Sequence, residues 1–173
     1  MRRRNTLTLV TIALVCFTVA LPAGDTAAQQ KTLKDQLTGS WTLVPAELTP
    51  PTGTKREDFG ANPKGILILD AGGRYAAVQG NPDRPKFKDT KNLRSGATND
   101  ELAAAARSFA ANFGTWSVDE AGKTLMRKYE IALIPNNDAQ EIKNLVSLSG
   151  DDLKLEFTFE NGVRTENVYR RAK

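Results

Sequence analysis

The sequence predicts an all-β protein: an eight-stranded antiparallel barrel with one inserted helix. Three observations carry this. Apolar residues alternate with polar or charged ones at period two through much of the chain, the mark of strands with one buried face. Gly, Asn and Asp separate these segments at short intervals, which favours an antiparallel meander. A single capping box marks one helix. Eight strands can close on themselves, which removes both sheet edges and leaves an interior that is packed or holds one small ligand. A two-sheet sandwich is the competing arrangement, and the barrel is preferred.

The first strand is expected at residues 40–48, opening on Gly39-Ser40-Trp41. Residues 49–63 contain Pro50, Pro51, Gly53 and Pro63 and are read as a loop without regular structure. Strands at 65–70 and 74–80 flank the hairpin turn Asp70-Ala71-Gly72-Gly73. The next loop, 81–97, sets Arg84, Lys86, Lys88, Lys91 and Arg94 against Asp83 and Asp89; it reads as a solvated loop or as an electropositive mouth for anions. Thr98-Asn99-Asp100-Glu101 is the capping box, and Leu102, Ala106, Phe109 and Phe113 then form one apolar helical stripe. That stripe would pack on the barrel wall, close one end, or act as a lid. Strands follow at 114–118, 124–134, 142–148, 153–159 and 163–171. In the 124–134 strand, Leu125, Tyr129, Ile131 and Leu133 are expected on one face. Leu153, Leu155, Phe157 and Phe159 alternate with Lys154, Glu156, Thr158 and Glu160, and Asn161-Gly162 turns the chain into the last strand.

The N-terminus reads as an export leader. Arg2, Arg3 and Arg4 precede an apolar run at 7–21, then Pro22-Ala23-Gly24 and the small residues Thr26-Ala27-Ala28, with cleavage expected after Ala28. Fifteen apolar residues are fewer than the roughly 20 that cross a bilayer as a helix, so no integral span is expected after cleavage. Cys16 follows Val15, which does not suit a lipid-attachment site, and ordinary export is favoured over the twin-arginine route. The expected organisation is a signal peptide at 1–28, a short tail at 29–35 and one barrel domain at 36–173. After cleavage the net charge is +2 and no cysteine remains. Neither nucleic-acid binding nor a disulfide is expected.

With the strands placed, the chain resembles the lipocalin-like domain family of exported bacterial proteins. The likeness rests on Leu37-Thr38-Gly39-Ser40-Trp41-Thr42-Leu43, Asn62-Pro63-Lys64-Gly65-Ile66-Leu67 with Gly73-Arg74-Tyr75, and Phe113-Gly114-Thr115-Trp116. Further on it rests on Ile134-Pro135-Asn136, Leu148-Ser149-Gly150-Asp151-Asp152-Leu153 and Tyr169-Arg170-Arg171. It implies a barrel whose first-strand Trp41, after Gly39, packs at the closed end under Arg170 or Arg171, a structural group rather than a binding site. Where many members of the family carry an arginine just before the strand that ends at the Ser-Gly-Asp turn, this chain has Asn144, beside Lys143. The leader, cleaved near Ala28, implies a periplasmic or secreted location.

Chemistry is narrowed by what is missing. The chain has no histidine, and its one cysteine lies in the leader, so His- or Cys-built metal and haem sites are excluded. Asn136-Asn137-Asp138 and Asp151-Asp152 suit turns and match no calcium loop. No serine-nucleophile elbow, phosphate loop or dinucleotide fingerprint occurs. No cofactor, metal or catalytic residue is assigned. The inward faces of the strands offer Tyr75, Gln79, Arg127, Tyr129, Asn144, Asn167 and Tyr169. Arg127, between Leu125 and Tyr129, is the focus: a charge inside a barrel needs a carboxylate, several carbonyls or an anionic ligand, unless a register break turns it outward. Non-catalytic binding of a small, largely apolar or amphipathic molecule with room for an anionic end is the first reading, held by Arg127, Tyr129, Asn144, Tyr75 and Asn167. An envelope interaction module with a packed barrel is the second. A metal-free isomerase or cyclase is the third.

Overall fold

The computed structural model describes residues 31–89, 91–92 and 95–173; the expected leader with its expected cleavage point, and Arg94, lie outside the described residues. Residues 31–173 form one compact unit. Its elements run α1 (Leu33–Leu37), β1 (Gly39–Thr49), β2 (Arg56–Glu57), β3 (Lys64–Leu69), β4 (Arg74–Gly80), α2 (Asn99–Arg107), β5 (Phe109–Asp119), β6 (Thr124–Ala132), a short 3-10 turn (Pro135–Asn137), β7 (Glu141–Ser149), β8 (Asp152–Thr158) and β9 (Arg164–Arg171). Every neighbouring pair is antiparallel, and β1 pairs with β9 to close the sheet. The result is an eight-stranded barrel with β2 as a small extra strand. β3 pairs with the first half of β1, and β2 takes over the same edge at Glu47 and Leu48.

Alternation selects the core. Trp41, Leu67, Leu69, Leu125, Leu153 and Leu155 are fully or almost fully buried inside the barrel, with Trp116 and Leu43 against them. Their neighbours in sequence face outward. This packed half lies toward the end where β1 begins and β9 finishes.

Residues 33–37, partly within the expected tail, are helical because Thr32 and Asp35 form a reciprocal capping box. The helix buries Leu37 completely and sets Leu33 on the core. It thereby becomes the floor. Trp41 Nε1 donates to the Leu37 carbonyl at 2.8 Å, and the Arg171 guanidinium lies 4.1 Å from the Trp41 ring centroid. Arg171 also donates to the carbonyls of Gln36 (2.6 Å) and Thr38 (3.3 Å). Of the two candidate arginines, Arg171 is the cap; Arg170 points outward and pairs with Asp152 at 2.9 Å. Gly39 has φ +134°, and a Cβ there would sit 3.2 Å from Arg171 Nη1, so the Gly-x-Trp spacing is set by this cap.

Two expectations are corrected. The helix stops at Arg107, and Phe109 and Phe113 belong to β5. All seven residues of β4 require a partner, and Phe109 to Thr115 supply it, an override of local helix propensity by sheet pairing. Second, Ile131 does not share the inward face of Leu125 and Tyr129, and Leu133 lies past the end of β6. A bulge lies where Phe113–Gly114 meets Tyr129–Ile131, and beyond it Ile131 is 57 % exposed.

Candidate functional site

Above the packed half, the other end of the barrel holds a cavity of about 210 Å³. Its wall includes Gln79 of β4, Ala110 and Asn112 of β5, Arg127 and Tyr129 of β6, Ile142 and Asn144 of β7, Phe157 of β8, and Thr165, Asn167 and Tyr169 of β9. Asp58 and Phe59, from the loop after β2, complete it on one side, and Ile134 and Asn137 on another.

Arg127 and Asn144 are the buried polar side chains at its centre, at 8 % and 4 % exposure. The register of β6 with β7 sets Arg127 opposite Ile142, one inward step from Asn144. Nε and Nη2 of Arg127 both donate to Asn144 Oδ1, at 3.2 and 2.9 Å. The guanidinium lies 5.5 Å from the centroid of Tyr75, whose negative ring face favours a cation. Among the described residues no carboxylate pairs with Arg127. Arginine has five N–H donors, and Asn144 takes two of them. Arg127 is therefore inward, neither turned out by a register break nor neutralised by an internal acid.

The surroundings are hydrogen-bonding rather than greasy. Tyr75 OH and Asn112 Oδ1 are buried without a protein partner. Tyr169 OH makes a long contact, 3.5 Å, to Gln79 Oε1. Burial holds the phenols of Tyr75 and Tyr169 above their ordinary range, against the smaller pull of Arg127 toward the phenolate. Both are neutral donors at any physiological pH.

Arg127, Tyr129, Asn144 and Asn167, expected at the site, do come together on the cavity wall. Tyr75 does not reach the wall. It packs beneath Arg127, with its ring centroid 6.4 Å from that of Tyr129. Helix α2 contributes nothing to the wall, and Arg84 and Lys86 border a separate groove outside the barrel instead of its mouth. Asn112 and Phe59 were missed. Asn112 falls in the stretch read as helix; an alternating reading of Ala110, Asn112, Gly114 and Trp116 would have turned it inward. Phe59 is a lone aromatic in a Pro- and Gly-rich loop, yet it is 7 % exposed, and that one ring was the available signal.

Asp58 gives a pH dependence. Burial raises its carboxyl pKa above the usual range, and Arg56 opposes this only in part. The folded chain thus holds a proton that the unfolded chain releases, so stability declines as pH rises through the window above the ordinary carboxylate value. Thermal unfolding of the parent and Asp58→Asn, followed from about pH 4 upward, should show the parent losing ground to the variant as pH rises. Parallel curves would refute it.

Comparison with known proteins follows the same outline. A family model described as a lipocalin-like domain matches residues 38–172. A comparison with curated proteins found no match. Among solved structures the chain is similar to a redesigned β-barrel, with TM-score 0.42, 11 % identity, and coverage of 83 % of this chain and 98 % of that one. It is similar also to fatty-acid-binding protein 1 of Echinococcus granulosus (TM-score 0.37, 13 % identity, 79 % and 98 % coverage). Wild-type fluorescent protein UnaG gives TM-score 0.36, 13 % identity, and 79 % and 98 % coverage. Likenesses of this size say nothing about what this chain binds. The family match is of another order: it spans the first strand to the last, including the Trp41–Arg171 floor, and the chain belongs to the lipocalin-like domain family.

Proposed function

We propose that the barrel binds a small organic anion, with the acid group on Arg127 and its body against Phe157, Ile142 and Tyr129. The observation that carries this is a buried guanidinium with spare donors, no acid partner among the described residues, and a cavity beside it. A buried charge is costly unless matched, and a carboxylate would accept from Arg127 in the paired geometry it favours. Size narrows the ligand. An apolar cavity of about 150 Å³ holds benzene, so about 210 Å³ suits one ring or a short chain carrying an acid group. The polar wall favours a smaller and less greasy ligand than the alternation of the strands suggested.

Isothermal titration of residues 31–173 with benzoate and with benzamide tests this. The expected result is benzoate binding at least about tenfold tighter than benzamide, a ratio worth roughly 1.4 kcal/mol. Arg127→Met, checked for an unchanged circular dichroism spectrum, should erase the preference. Equal binding of the two compounds, or a preference that survives Arg127→Met, would sink the anion reading.

We also read residues 1–28 as an export leader, which places the barrel in the periplasm or outside the cell. The three arginines, the apolar run and the small residues before Gln29 support this. Intact mass of the protein recovered from its host should correspond to a chain beginning at Gln29; a retained apolar run would overturn it.

A further inference from the structure

The barrel wall has two unlike outer faces. Across β8, β9 and the far half of β1, the outside carries a network of ion pairs among Glu47, Lys55, Lys154, Glu156, Arg164 and Glu166. Across β3 to β6 the outside carries a single ion pair among the described residues, Arg74 with Glu130, where β4 begins. Elsewhere on that side Ile66 pairs with Val78, Ile68 with Ala76, Ala76 with Phe113, and Phe113 with Ile131. Ladder partners lie side by side on one face, so these residues form a continuous apolar strip over four strands. Ile66, Ile68, Val78, Phe113 and Ile131 are 38–57 % exposed. Contiguous exposed patches of this kind mark interaction surfaces, whereas scattered single apolar residues do not.

The border of the strip is cationic. A groove of about 350 Å³ joins Ile66 and Val78 to Lys64, Arg84 and Phe109, with the Arg84 guanidinium 5.0 Å from the Phe109 centroid. A larger groove, about 830 Å³, continues past Arg84 and Lys86 to the apolar side of α2, a helix none of whose residues is buried. Among the described residues, Lys64, Arg84, Lys86 and Lys88 form no ion pair. The nearby acids are partly engaged: Asp89 accepts from the backbone N–H groups of Lys91 and Asn92, and Glu101 from those of Thr98 and Lys88.

We propose that this face of the barrel docks on an anionic lipid surface, its apolar strip entering the headgroup boundary while Lys64, Arg84 and Lys86 meet lipid phosphates. Charge complementarity selects this occupant. A second copy meeting the strip about a two-fold axis would bring these cations against their own kind. A strand-adding peptide has no edge to join, since β3, β4, β5 and β6 each have a partner on both sides. A fluid interface needs only apolar area and surrounding positive charge. No helix among the described residues is long and apolar enough to cross a membrane, and the ion pairs on the opposite wall keep that side in water.

The test is vesicle co-sedimentation of residues 31–173, which contain the whole closed barrel and its core. Vesicles of phosphatidylcholine alone are compared with vesicles containing phosphatidylglycerol. Pelleting is expected only with the anionic vesicles. I68E/F113E, at two outward and already exposed positions, should reduce it at least tenfold with an unchanged circular dichroism spectrum. K64E/R84E should reduce it by at least about twenty-five-fold, about fivefold for each cation lost, and leave benzoate binding intact. Three results would overturn the proposal: no pelleting with either vesicle, pelleting indifferent to I68E/F113E, or a dimer that I68E/F113E splits without altering pelleting. The last would assign the strip to a second copy.

Discussion

Trp41→Ala is expected to lower unfolding free energy by about 3–5 kcal/mol, the range for removing a large buried aromatic. The side chain is fully buried at the floor and ties together elements remote in sequence: the Leu37 carbonyl accepts from its indole N–H, and Arg171 covers its ring. Alanine would leave a void and strand the cap as well. Arg171→Met separates the two contributions. It keeps an apolar stem but leaves the Gln36 and Thr38 carbonyls without their donor, an expected loss of roughly 1–3 kcal/mol. Arg170→Met should leave stability within error of the parent, because Arg170 pairs on the surface with Asp152. Urea unfolding of the three variants gives the ranking. If Arg170→Met were as damaging as Arg171→Met, the assignment of the cap would be wrong.

Gly114→Ala should be nearly as destructive through a different cause, with a loss of about 3 kcal/mol or more, beyond ordinary overpacking. A Cβ at Gly114 would lie 2.0 Å from the Lys128 carbonyl oxygen and 2.9 Å from the Glu130 nitrogen. Both obstacles are backbone, so no side chain can swing aside. The bulge between β5 and β6 would have to open, and it is what lets Tyr129 and Ala132 both reach the cavity. Binding of benzoate should therefore weaken along with stability. Gly150→Ala is the control. Gly150 has φ +58° with nothing within 4 Å of a new Cβ, so only backbone strain is added, about 1 kcal/mol. Equal losses at the two glycines would contradict the close approach.

Strands were legible where the two faces differ in chemistry. β8, with Leu153 and Leu155 inside and Lys154 and Glu156 outside, states its alternation in the residues themselves, and β4 falls within its expected bounds. The start of β5 was not legible. Ala103 to Ala106, Ala110 and Ala111 favour helix locally, and only the need of β4 for a partner decides otherwise. The outward side of β3 to β6 is itself apolar, so period two is blurred there, and the bulge moving Ile131 outward left no mark except Gly114. The site divides likewise. Arg127 was visible as a charge on an apolar stripe, and Asn144 by its place in the alternation of β7. Tyr75 beneath the cation and Asp58 and Phe59 beside the cavity depend on how strands curve and loops fold back, which no local pattern encodes.

The pairing of β1 with β9 fixes a time as well as a shape. The floor joins Gln36 to Arg171, 135 positions apart, and no shorter piece of the chain can make that bond. At about 5–20 residues per second, synthesis leaves the first strand waiting many seconds for its neighbour. Until the last strand emerges, β1 lacks one side of its ladder and Trp41 its cap. The unfinished chain is thus a sheet with open borders, which must be kept from joining its neighbours. Completion of the barrel is a single late event, with little native stability available before it.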